Sequence, residues 1–330
     1  MIRGYLGVDV GSVSTNLVVI DENNKLIAGR YLRTNGKPIQ TVQEGLYSIK
    51  QDIPDNVKIA GAGTTGSARY LISLIIGADV VKNEITAHAI ASSTFIKDVK
   101  TIIEVGGQDS KIIIMRDGIV TDFAMNTVCA AGTGSFLDQQ ANRLCIPIEE
   151  FGNYALKAKN PVRIAGRCAV FAESDMIHKQ QLGYNTEDII AGLCEALVRN
   201  YMNNVGKGKE ILPPVMFQGG VAANQGLVQA FNKYLGINVI VPKNYGVMGA
   251  IGVAILAHNA RLNKGNTSFK GFDIQEVSFK TSSFECKGCS NACEVVQFYE
   301  NGELLARWGD RCGKWEMHTD PGNSTHFSAN

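Results

Sequence analysis

Two segments of the chain, residues 5–21 and 102–114, share one pattern: an apolar strand, an acidic residue, a glycine turn and a second apolar strand. Asp9 in the first segment corresponds to Glu104 in the second, and Gly11 corresponds to Gly106. A hairpin tip of glycine and hydroxyl groups can wrap phosphate oxygens, and a carboxylate beside it can hold Mg²⁺ through water. The repeat therefore predicts two similar lobes, each offering such a hairpin to one nucleotide between them.

A third glycine turn follows the apolar segment 215–217, where Gln218, Gly219 and Gly220 precede a predicted helix. A turn without side chains suits close packing against a flat base or ribose. Each of the three turns alone also fits an ordinary hairpin or strand end. Their occurrence together and in this order favours a nucleotide site.

Two cysteines stand just before predicted helices. Cys129 is followed by the glycine-rich residues 132–134 and by a predicted helix that begins near Ser135, and Cys168 lies in a similar arrangement at 166–174. A helix N-terminus offers unpaired N–H groups to an anion. A lone cysteine is more often a small buried apolar residue, but a pair of this kind, flanked by glycine and polar residues, favours a binding site.

The composition argues against several classes of partner. The net charge of +1 provides no field for nucleic acid or an anionic membrane, and no apolar run reaches the ~20 residues that span a bilayer. The N-terminal residues run directly into a predicted strand rather than a signal peptide, so we expect a cytoplasmic protein. In that compartment, eight cysteines favour metal or redox use over disulfide bonds.

Some residues of interest lie outside these motifs. Arg69, Glu84 and His88 fit a functional role or a satisfied polar role equally well, and their roles stay open. Cys194 lies on the apolar face of a predicted long helix. We predict that both Cys194 and Cys145 are core residues.

Five segments in order resemble the activator ATPases of 2-hydroxyacyl-CoA dehydratases, which belong with the ATPase subunits of benzoyl-CoA reductases. The resemblance covers about residues 4–260, and its segments are residues 9–15, 104–111, 129–137, 168–173 and 218–224. It implies an α/β, two-lobed acetate and sugar kinase/Hsp70/actin (ribonuclease H-like) fold. Lobe I would comprise residues 1–100, completed by a helix at 247–262, and lobe II would comprise residues 101–246.

The resemblance also implies the residues of a nucleotide site. Asp9 would lie near Mg²⁺, and either Gln108 or Asp109 would orient the attacking water, a choice that the sequence leaves open. The candidate ATP/ADP-binding residues are Gly11, Ser12, Val13, Ser14, Thr15, Glu104, Gly106, Gly107, Gln108, Asp109, Lys111, Gly132, Thr133, Gly134, Gln218, Gly219, Gly220 and Asn224.

Members of the family are homodimers that share one [4Fe-4S] cluster and use ATP to drive an electron into a partner metalloprotein. A cubane cluster normally needs four thiolates, and two helix-entrance cysteines per chain would supply four in a two-fold dimer. The resemblance carries the ligand roles to Cys129 and Cys168, with the helices behind them in lobe II. It implies a dehydratase-like iron–sulfur protein as electron acceptor, ferredoxin or flavodoxin as donor, and an anaerobic organism.

The chain departs from the family pattern after about residue 260. Cys286, Cys289, Cys293 and Cys312 lie in a predicted Cys-rich C-terminal module, residues 267–330, with a strand–turn–strand between the last two. These four cysteines fit a closed zinc site, a second iron–sulfur cluster or unmetallated thiols. Similar extensions occur in the branch of the family that reduces double-cubane cluster proteins, so the acceptor stays open. We predict that the tail after Trp315 is unstructured.

Two other functions fit the same fold. A small-molecule kinase would use the nucleotide cleft, but it would leave Cys129 and Cys168 without a purpose. An Hsp70- or actin-like binding module would need a peptide-binding or filament-forming insertion, for which the sequence shows no segment. The main hypothesis is therefore an iron–sulfur ATPase that donates low-potential electrons.

Overall fold

The structure, a computed structural model, describes residues 1–262 and 266–318. The chain divides into two units: the first is Met1–Phe269, and the second begins at Lys270. None of the helices in the described ranges is long and apolar enough to cross a membrane.

The first unit begins with a five-stranded sheet of order β3-β2-β1-β4-β5. Its elements are β1 (Ile2–Val10), β2 (Ser14–Ile20), β3 (Leu26–Arg33), α1 (Pro38–Lys50), β4 (Val57–Thr65), α2 (Arg69–Ile76), β5 (Val80–Val81) and α3 (Glu84–Phe95). The first three strands are antiparallel, and β4 runs parallel to β1. Helix α3 begins at Glu84 because the Asn83 side chain accepts a 2.8 Å hydrogen bond from the Thr86 amide.

The same unit contains a second sheet of order β8-β7-β6-β9. Its elements are β6 (Thr101–Val105), β7 (Ser110–Arg116), β8 (Ile119–Asn126), α4 (Gly134–Arg143), α5 (Ile148–Leu156), α6 (Ala169–Gln181), α7 (Thr186–Asn204), β9 (Val215–Gln218), α8 (Gln225–Leu235) and α9 (Met248–Arg261). Strands β6, β7 and β8 are antiparallel, and β9 runs parallel to β6. The first four strands of the first sheet, β3-β2-β1-β4, therefore have the same order and relative directions as the second sheet, and β5 extends the first sheet alone.

The predicted repeat of two hairpins is confirmed, and the two turns also share the same backbone hydrogen bond. The Gly11 amide donates to the Ser14 carbonyl oxygen at 2.9 Å, and the Gly106 amide donates to the Asp109 carbonyl oxygen at 3.0 Å. The same three-residue offset closes both turns, so both present their backbone in the same way.

Helix α9 returns the chain to the first sheet, where it packs against β1, β4 and α3. Glycines allow this close approach. A Cβ atom on Gly252 would overlap the carbonyl oxygen of Ala87 in α3, and one on Gly7 would overlap that of Ala250. Apolar side chains of α3 and α9, including Ile85 and Ile251, share a buried cluster with β1 and β2.

Two cysteines without a predicted function differ in burial. Cys194 of α7 is 1% exposed, which confirms the core prediction. The prediction was wrong for Cys145, which is exposed. Cys145 follows α4 with a φ of 56°, so it turns the chain at a helix end rather than packing within a helix.

The second unit contains an antiparallel sheet of order β10-β11-β12-β13. The strands are β10 (Phe279–Glu285), β11 (Glu294–Glu300), β12 (Glu303–Trp308) and β13 (Met317–His318). The β11–β12 pair confirms the predicted strand–turn–strand, whereas β10 was not predicted. Phe298 is fully buried and stacks on Phe279 with ring centroids 5.6 Å apart.

The prediction of an unstructured tail after Trp315 was wrong for Met317 and His318. These two residues pair with Arg307 and Ala306 of β12. The pairing depends on a strand elsewhere in the chain, so the local sequence shows no sign of it. The remainder of that prediction lies outside the described residues.

Candidate functional site

Residues of both hairpin turns line one cleft in the first unit. The turns approach closely, since a Cβ atom on Gly107 would lie 2.7 Å from that of Val13. The cleft brings together thirteen of the predicted nucleotide-site residues: Asp9, Gly11, Ser12, Val13, Ser14, Glu104, Gly106, Gly107, Gln108, Asp109, Lys111, Gly219 and Gly220.

Three other predicted residues, Thr15, Gln218 and Asn224, are not part of the cleft lining. Thr15 is buried, and its hydroxyl lies 3.0 Å from that of Thr34. Asn224 caps α8, where its side chain accepts a 3.1 Å hydrogen bond from the Leu227 amide. Gln218 is fully buried below the Gly219–Gly220 turn.

Gly132, Thr133 and Gly134 also stand outside the cleft lining, and their contact with nucleotide stays a prediction. They are buried because the segment packs beneath the second hairpin turn. The amides of Gly134 and Ser135 donate to the carbonyl oxygens of Gly106 and Gly107 at 2.9 and 2.8 Å. The segment therefore contacts the backbone of the turn that lines the cleft.

Lys111 is the centre of the charge arrangement in the cleft. Its side chain is 1% exposed, and its Nζ lies 2.7 Å from Glu84 Oε2, 3.0 Å from Glu104 Oε2 and 2.8 Å from Asp109 Oδ2. Burial alone would lower the pKa of Lys111, but the three carboxylates outweigh it and raise the pKa well above its ordinary value. Lys111 is therefore a fixed positive charge.

The carboxylates of the cleft outnumber this charge. Burial, followed by the nearby Glu84 carboxylate, raises the pKa of Asp9 to about 7. Burial raises the pKa of Glu104 to about 8, although Lys111 opposes the rise. Oxygen-rich sites with excess negative charge suit Mg²⁺. Asp9, Glu104 and Asp109 are not close enough together to hold a metal as a set of three, so Mg²⁺ at this cleft would be held by one or two of these carboxylates together with phosphate oxygens and water.

Glu84 and His88, whose roles the sequence leaves open, both line the cleft from α3. His88 is 5% exposed, and burial lowers its pKa to about 4, so its ring is neutral near pH 7. Its Nδ1 lies 2.9 Å from Gln218 Nε2. Arg69 is not in the lining: it donates to the Gly66 carbonyl oxygen at 3.1 Å and lies over the Tyr70 ring.

Other residues of the cleft were not found from the sequence. They are Asn16, Tyr31, Ser67, Tyr245, Gly246, Met248 and Gly249. Tyr31 on β3 reaches the third glycine turn, since a Cβ atom on Gly220 would lie 2.9 Å from the Tyr31 hydroxyl. A tyrosine in an ordinary strand carries no motif, so only the folded chain reveals this contact.

Cys129 and Cys168 lie on one surface of the first unit, and both are half-buried. The Cys129 thiol lies 4.0 Å from the carbonyl oxygen of Arg167, the residue before Cys168. Cys168 is the N-cap residue of α6, while Cys129 precedes a 3₁₀ turn, Ala130–Gly132, that leads into α4. The structure thus brings the two cysteine segments together.

Asn200 of α7 connects the two cysteine segments and was not found from the sequence. It is 2% exposed, and its Nδ2 donates to the Gly166 carbonyl oxygen at 2.6 Å and lies 3.5 Å from Cys129 Sγ. Large apolar side chains surround this surface: Val128, Val170 and Phe171 are 95%, 69% and 66% exposed. Exposed apolar residues of this size are typical of a surface that binds protein.

The four C-terminal cysteines are not gathered around one point in the structure, and whether they hold a metal stays a prediction. Among residues 1–262 and 266–318, no three His, Cys, Asp or Glu side chains lie close enough together to hold a metal. The thiols have separate partners. Cys286 accepts a 3.1 Å hydrogen bond from the Trp315 indole, whereas Cys312 lies 3.5 Å from Asp310 Oδ2, and Cys289 is exposed.

Comparison with known proteins relates this arrangement to a family. The chain is 32% identical over 262 residues to the (R)-2-hydroxyglutaryl-CoA dehydratase activating ATPase of Acidaminococcus fermentans, covering 77% of this chain and 96% of that protein. It is also 32% identical over 266 residues to the activator of lactoyl-CoA dehydratase of Anaerotignum propionicum, covering 78% and 99%.

Solved structures agree with the sequence comparison. The activator of the 2-hydroxyisocaproyl-CoA dehydratase from Clostridium difficile, with bound ADPNP, superposes with a TM-score of 0.72 at 29% identity, covering 78% of this chain and 96% of that one. The ethanolamine utilization protein EutJ from Carboxydothermus hydrogenoformans shares the fold alone, with a TM-score of 0.52 at 18% identity. These matches confirm the predicted two-lobed fold. A family model matches residues 6–257, and the chain therefore belongs to the BadF/BadG/BcrA/BcrD ATPase family.

Proposed function

We propose that the chain is a homodimeric iron–sulfur ATPase that couples ATP hydrolysis to transfer of a low-potential electron onto a partner metalloprotein. The observation that carries this proposal is the short path between the cleft and the cysteine surface. Gly106 and Gly107 line the cleft, and their carbonyl oxygens accept hydrogen bonds from the residues that begin α4, just after Cys129.

ATP is the nucleotide that the cleft and the relatives support together. The backbone N–H groups of glycine turns bind phosphate oxygens, and the solved relative carries ADPNP. Mg²⁺ beside Asp9, Glu104 and Asp109 would offset carboxylate charge that otherwise repels phosphate. Gly219 and Gly220 would lie against the adenosine, where a side chain would block close approach.

The geometry favours Gln108 over Asp109 as the residue that orients the attacking water. Asp109 is already engaged, since its carboxylate lies 2.8 Å from Lys111 Nζ. Gln108 is exposed in the cleft and directly follows Gly106 and Gly107. An amide can accept from water and donate to phosphate at once, which is the positioning role that phosphoryl transfer requires.

Cys129 and Cys168 fit the protein side of a shared [4Fe-4S] cluster. When bound, such a cluster supplies a one-electron redox couple of low potential. Each chain offers two neighbouring thiols, so a two-fold dimer offers the usual four. The N-terminus of α6, at Cys168, favours negative charge near the thiols. The apolar side chains around the surface suit burial against a second copy of the chain.

The chain's own hydrogen bonds provide the coupling. Phosphate binding or release at the Gly106–Gly107 turn would move the carbonyl groups that hold the start of α4. Because only one 3₁₀ turn separates Cys129 from this start, the position of Cys129 relative to Cys168 on α6 would change with the nucleotide state. The electron acceptor would be a dehydratase-like or double-cubane cluster protein, and the donor ferredoxin or flavodoxin.

The test is anaerobic purification of the full chain, with iron and sulfide analysis, EPR, and phosphate release from ATP. Wild type should hold about four iron atoms per two chains, and Cys129→Ser and Cys168→Ser should lose them. Cys145→Ser is the matched control because Cys145 is also accessible but follows the C-terminal end of α4, whereas Cys129 precedes its N-terminal end. Cys286→Ser reports separately on any metal at the C-terminal cysteines.

Two results would overturn the proposal. Retention of about two-thirds or more of the wild-type iron in Cys129→Ser would refute the ligand assignment. ATP consumption only in the presence of a small phosphoryl acceptor, by colourless protein, would identify a kinase instead. If ATP changed neither the EPR signal nor the potential of the iron-loaded protein, the coupling would be refuted while the ATPase assignment stood.

A further inference from the structure

Helix α3 presents a row of polar side chains to the second sheet. Glu84, His88 and Ser92 are four residues apart, so they lie along one face of the helix. Ser92 is fully buried and His88 is 5% exposed. Burying a polar group costs free energy unless the group is hydrogen-bonded or paired. The partners of these three side chains therefore indicate which parts of the second sheet the helix positions.

The first member of the row contacts the charged centre of the cleft. Glu84 Oε2 lies 2.7 Å from Lys111 Nζ on β7, and this lysine also contacts Glu104 and Asp109. Glu104 and Asp109 belong to the second hairpin itself, whereas Glu84 comes from the other half of the unit. Lys111 therefore interacts with three carboxylates instead of two, and Glu84 weakens its attraction to Glu104 and Asp109.

The other two members contact the end of β9. The Gln218 side-chain amide lies 2.9 Å from His88 Nδ1 and 3.2 Å from Ser92 Oγ. Gln218 is fully buried and directly precedes the Gly219–Gly220 turn in the cleft lining. Gly219 has a φ of 92°, a conformation that favours glycine. The backbone that connects Gln218 to the turn is therefore conformationally restricted.

One helix face thus reaches both strands that flank β6 in the sheet order β8-β7-β6-β9. We propose that Glu84 and His88 are positioning residues for Mg²⁺·nucleotide: Glu84 acts through Lys111 on the Gly106–Gly107 turn, and His88 acts through Gln218 on the Gly219–Gly220 turn. This inference rests on the proposed ATP hydrolysis and assigns separate tasks within it.

The two tasks give different signatures. Without the Glu84 carboxylate, Lys111 draws more strongly on Glu104 and Asp109, so Mg²⁺ must compete harder for them. Without the His88 ring, Gln218 loses a buried partner and the Gly219–Gly220 turn is held less firmly, which weakens nucleoside binding. A structural role alone would lower stability without separating metal from nucleotide.

The experiment measures the kcat and KM for ATP, the Mg²⁺ concentration at half-saturation, and Mg²⁺·ADP binding by calorimetry. Glu84→Gln should raise the half-saturating Mg²⁺ about tenfold with little change in the KM for ATP measured at saturating Mg²⁺. His88→Ala should raise this KM and the Kd for Mg²⁺·ADP about tenfold, with little change in the Mg²⁺ requirement. Glu44→Gln, an exposed change on α1, is the matched control.

Equal effects of both variants on Mg²⁺ and nucleotide, or no effect of either, would overturn the assignment. Should Glu84→Gln fail to fold, Glu84→Asp replaces it, because the charge stays but the carboxylate is one methylene shorter. That variant should raise the Mg²⁺ requirement by a smaller factor. Wild-type protein that binds Mg²⁺·ADP but hydrolyses no ATP would refute the proposed function, and the calorimetric comparison would still decide the two positioning roles.

Discussion

The backbone amide of Gly134, the first residue of α4, donates a 2.9 Å hydrogen bond to the carbonyl oxygen of Gly106 in the cleft. A Cβ atom on Gly134 would lie 3.1 Å from that oxygen and 2.8 Å from Val221 Cγ2, so the contact depends on the missing side chain. The turn that faces the cleft and the helix behind Cys129 are therefore one continuous hydrogen-bonded structure.

Ser135→Ala should weaken this connection without removing the nucleotide site. The Ser135 hydroxyl donates to the Gly107 carbonyl oxygen at 2.6 Å, and its loss costs about 1 kcal/mol at this contact. We expect ATP hydrolysis within about twofold of wild type and a several-fold lower yield of transferred electrons per ATP. Anaerobic reduction of an acceptor, measured beside phosphate release, checks the ratio.

The control for this change is Ser73→Ala, because Ser73 makes a comparable 2.7 Å hydrogen bond to a carbonyl oxygen on exposed α2. An unchanged electron-to-ATP ratio in Ser135→Ala would show that the coupling does not pass through this hydroxyl.

Lys111→Met should destabilise the protein strongly. The substitution leaves Glu84, Glu104 and Asp109 facing one another without their shared cation, and breaking a buried ion pair in this way costs about 3–5 kcal/mol. Urea unfolding at pH 7 without Mg²⁺ measures the loss. Added Mg²⁺ should recover part of it, because the metal can replace the lost charge.

Lys209→Met provides the comparison, since Lys209 pairs at 2.6 Å with Asp122, whose side chain is 52% exposed. Solvent screens that pair, so its loss should be much smaller. Equal losses in the two variants would mean that burial of the Lys111 cluster has no energetic consequence.

The stability of the metal-free protein should fall as the pH rises from about 5 to about 8. Burial raises the pKa of Asp9 to about 7 and that of Glu104 to about 8. The folded state therefore keeps protons in this range that the unfolded chain has already released, and each added pH unit favours unfolding. Urea unfolding across the range measures the slope, and Glu104→Gln should make it shallower.

Mg²⁺·ADP affinity should change in the opposite direction. Metal binding needs ionised carboxylates, so affinity should increase with pH over the same range and binding should release protons. Calorimetry in buffers of different ionisation enthalpy detects the release. Affinity that is flat between pH 6 and pH 8.5 would exclude Asp9 and Glu104 as the titrating groups.

Asp79→Asn should weaken the attachment of Arg261, Thr267 and Ser268 to the segment just before β5. The Asp79 side chain is 3% exposed and accepts hydrogen bonds from Arg261, from the Thr267 hydroxyl at 2.5 Å and from the Ser268 amide at 2.9 Å. Burial raises the pKa of Asp79, but these hydrogen bonds outweigh it and hold the pKa below its ordinary value. Loss of the charge should cost about 2–4 kcal/mol at pH 7.

The sign of the pH dependence gives a second check on this residue. Because its folded-state pKa is lowered, Asp79 stabilises the fold above the unfolded pKa, and this contribution is lost as the pH falls through the folded pKa. The difference between wild type and Asp79→Asn should therefore shrink in acid. Asp52→Asn, which removes an exposed partner of Arg30, should show a much smaller difference at pH 7.

Local patterns in the sequence determined the two hairpins, the third glycine turn and the helix-entrance cysteines. Each of these depends on a few neighbouring residues: alternation of apolar side chains makes the strands, and glycine allows the turns. Asp9 and Glu104 were found in this way because they belong to the hairpins, whereas Lys111 was implied by the family resemblance. The same local reasoning failed for Cys145, whose exposure follows from where α4 ends.

The tertiary structure alone decided which distant side chains meet. Glu84 reaches Lys111 because α3 of one half packs against the sheet of the other, and Asn200 reaches both cysteine segments from α7. It also packed the 132–134 segment beneath the Gly106–Gly107 turn and gave the C-terminal thiols separate partners. Such contacts depend on helix packing over long sequence separations, which no short pattern of residues encodes.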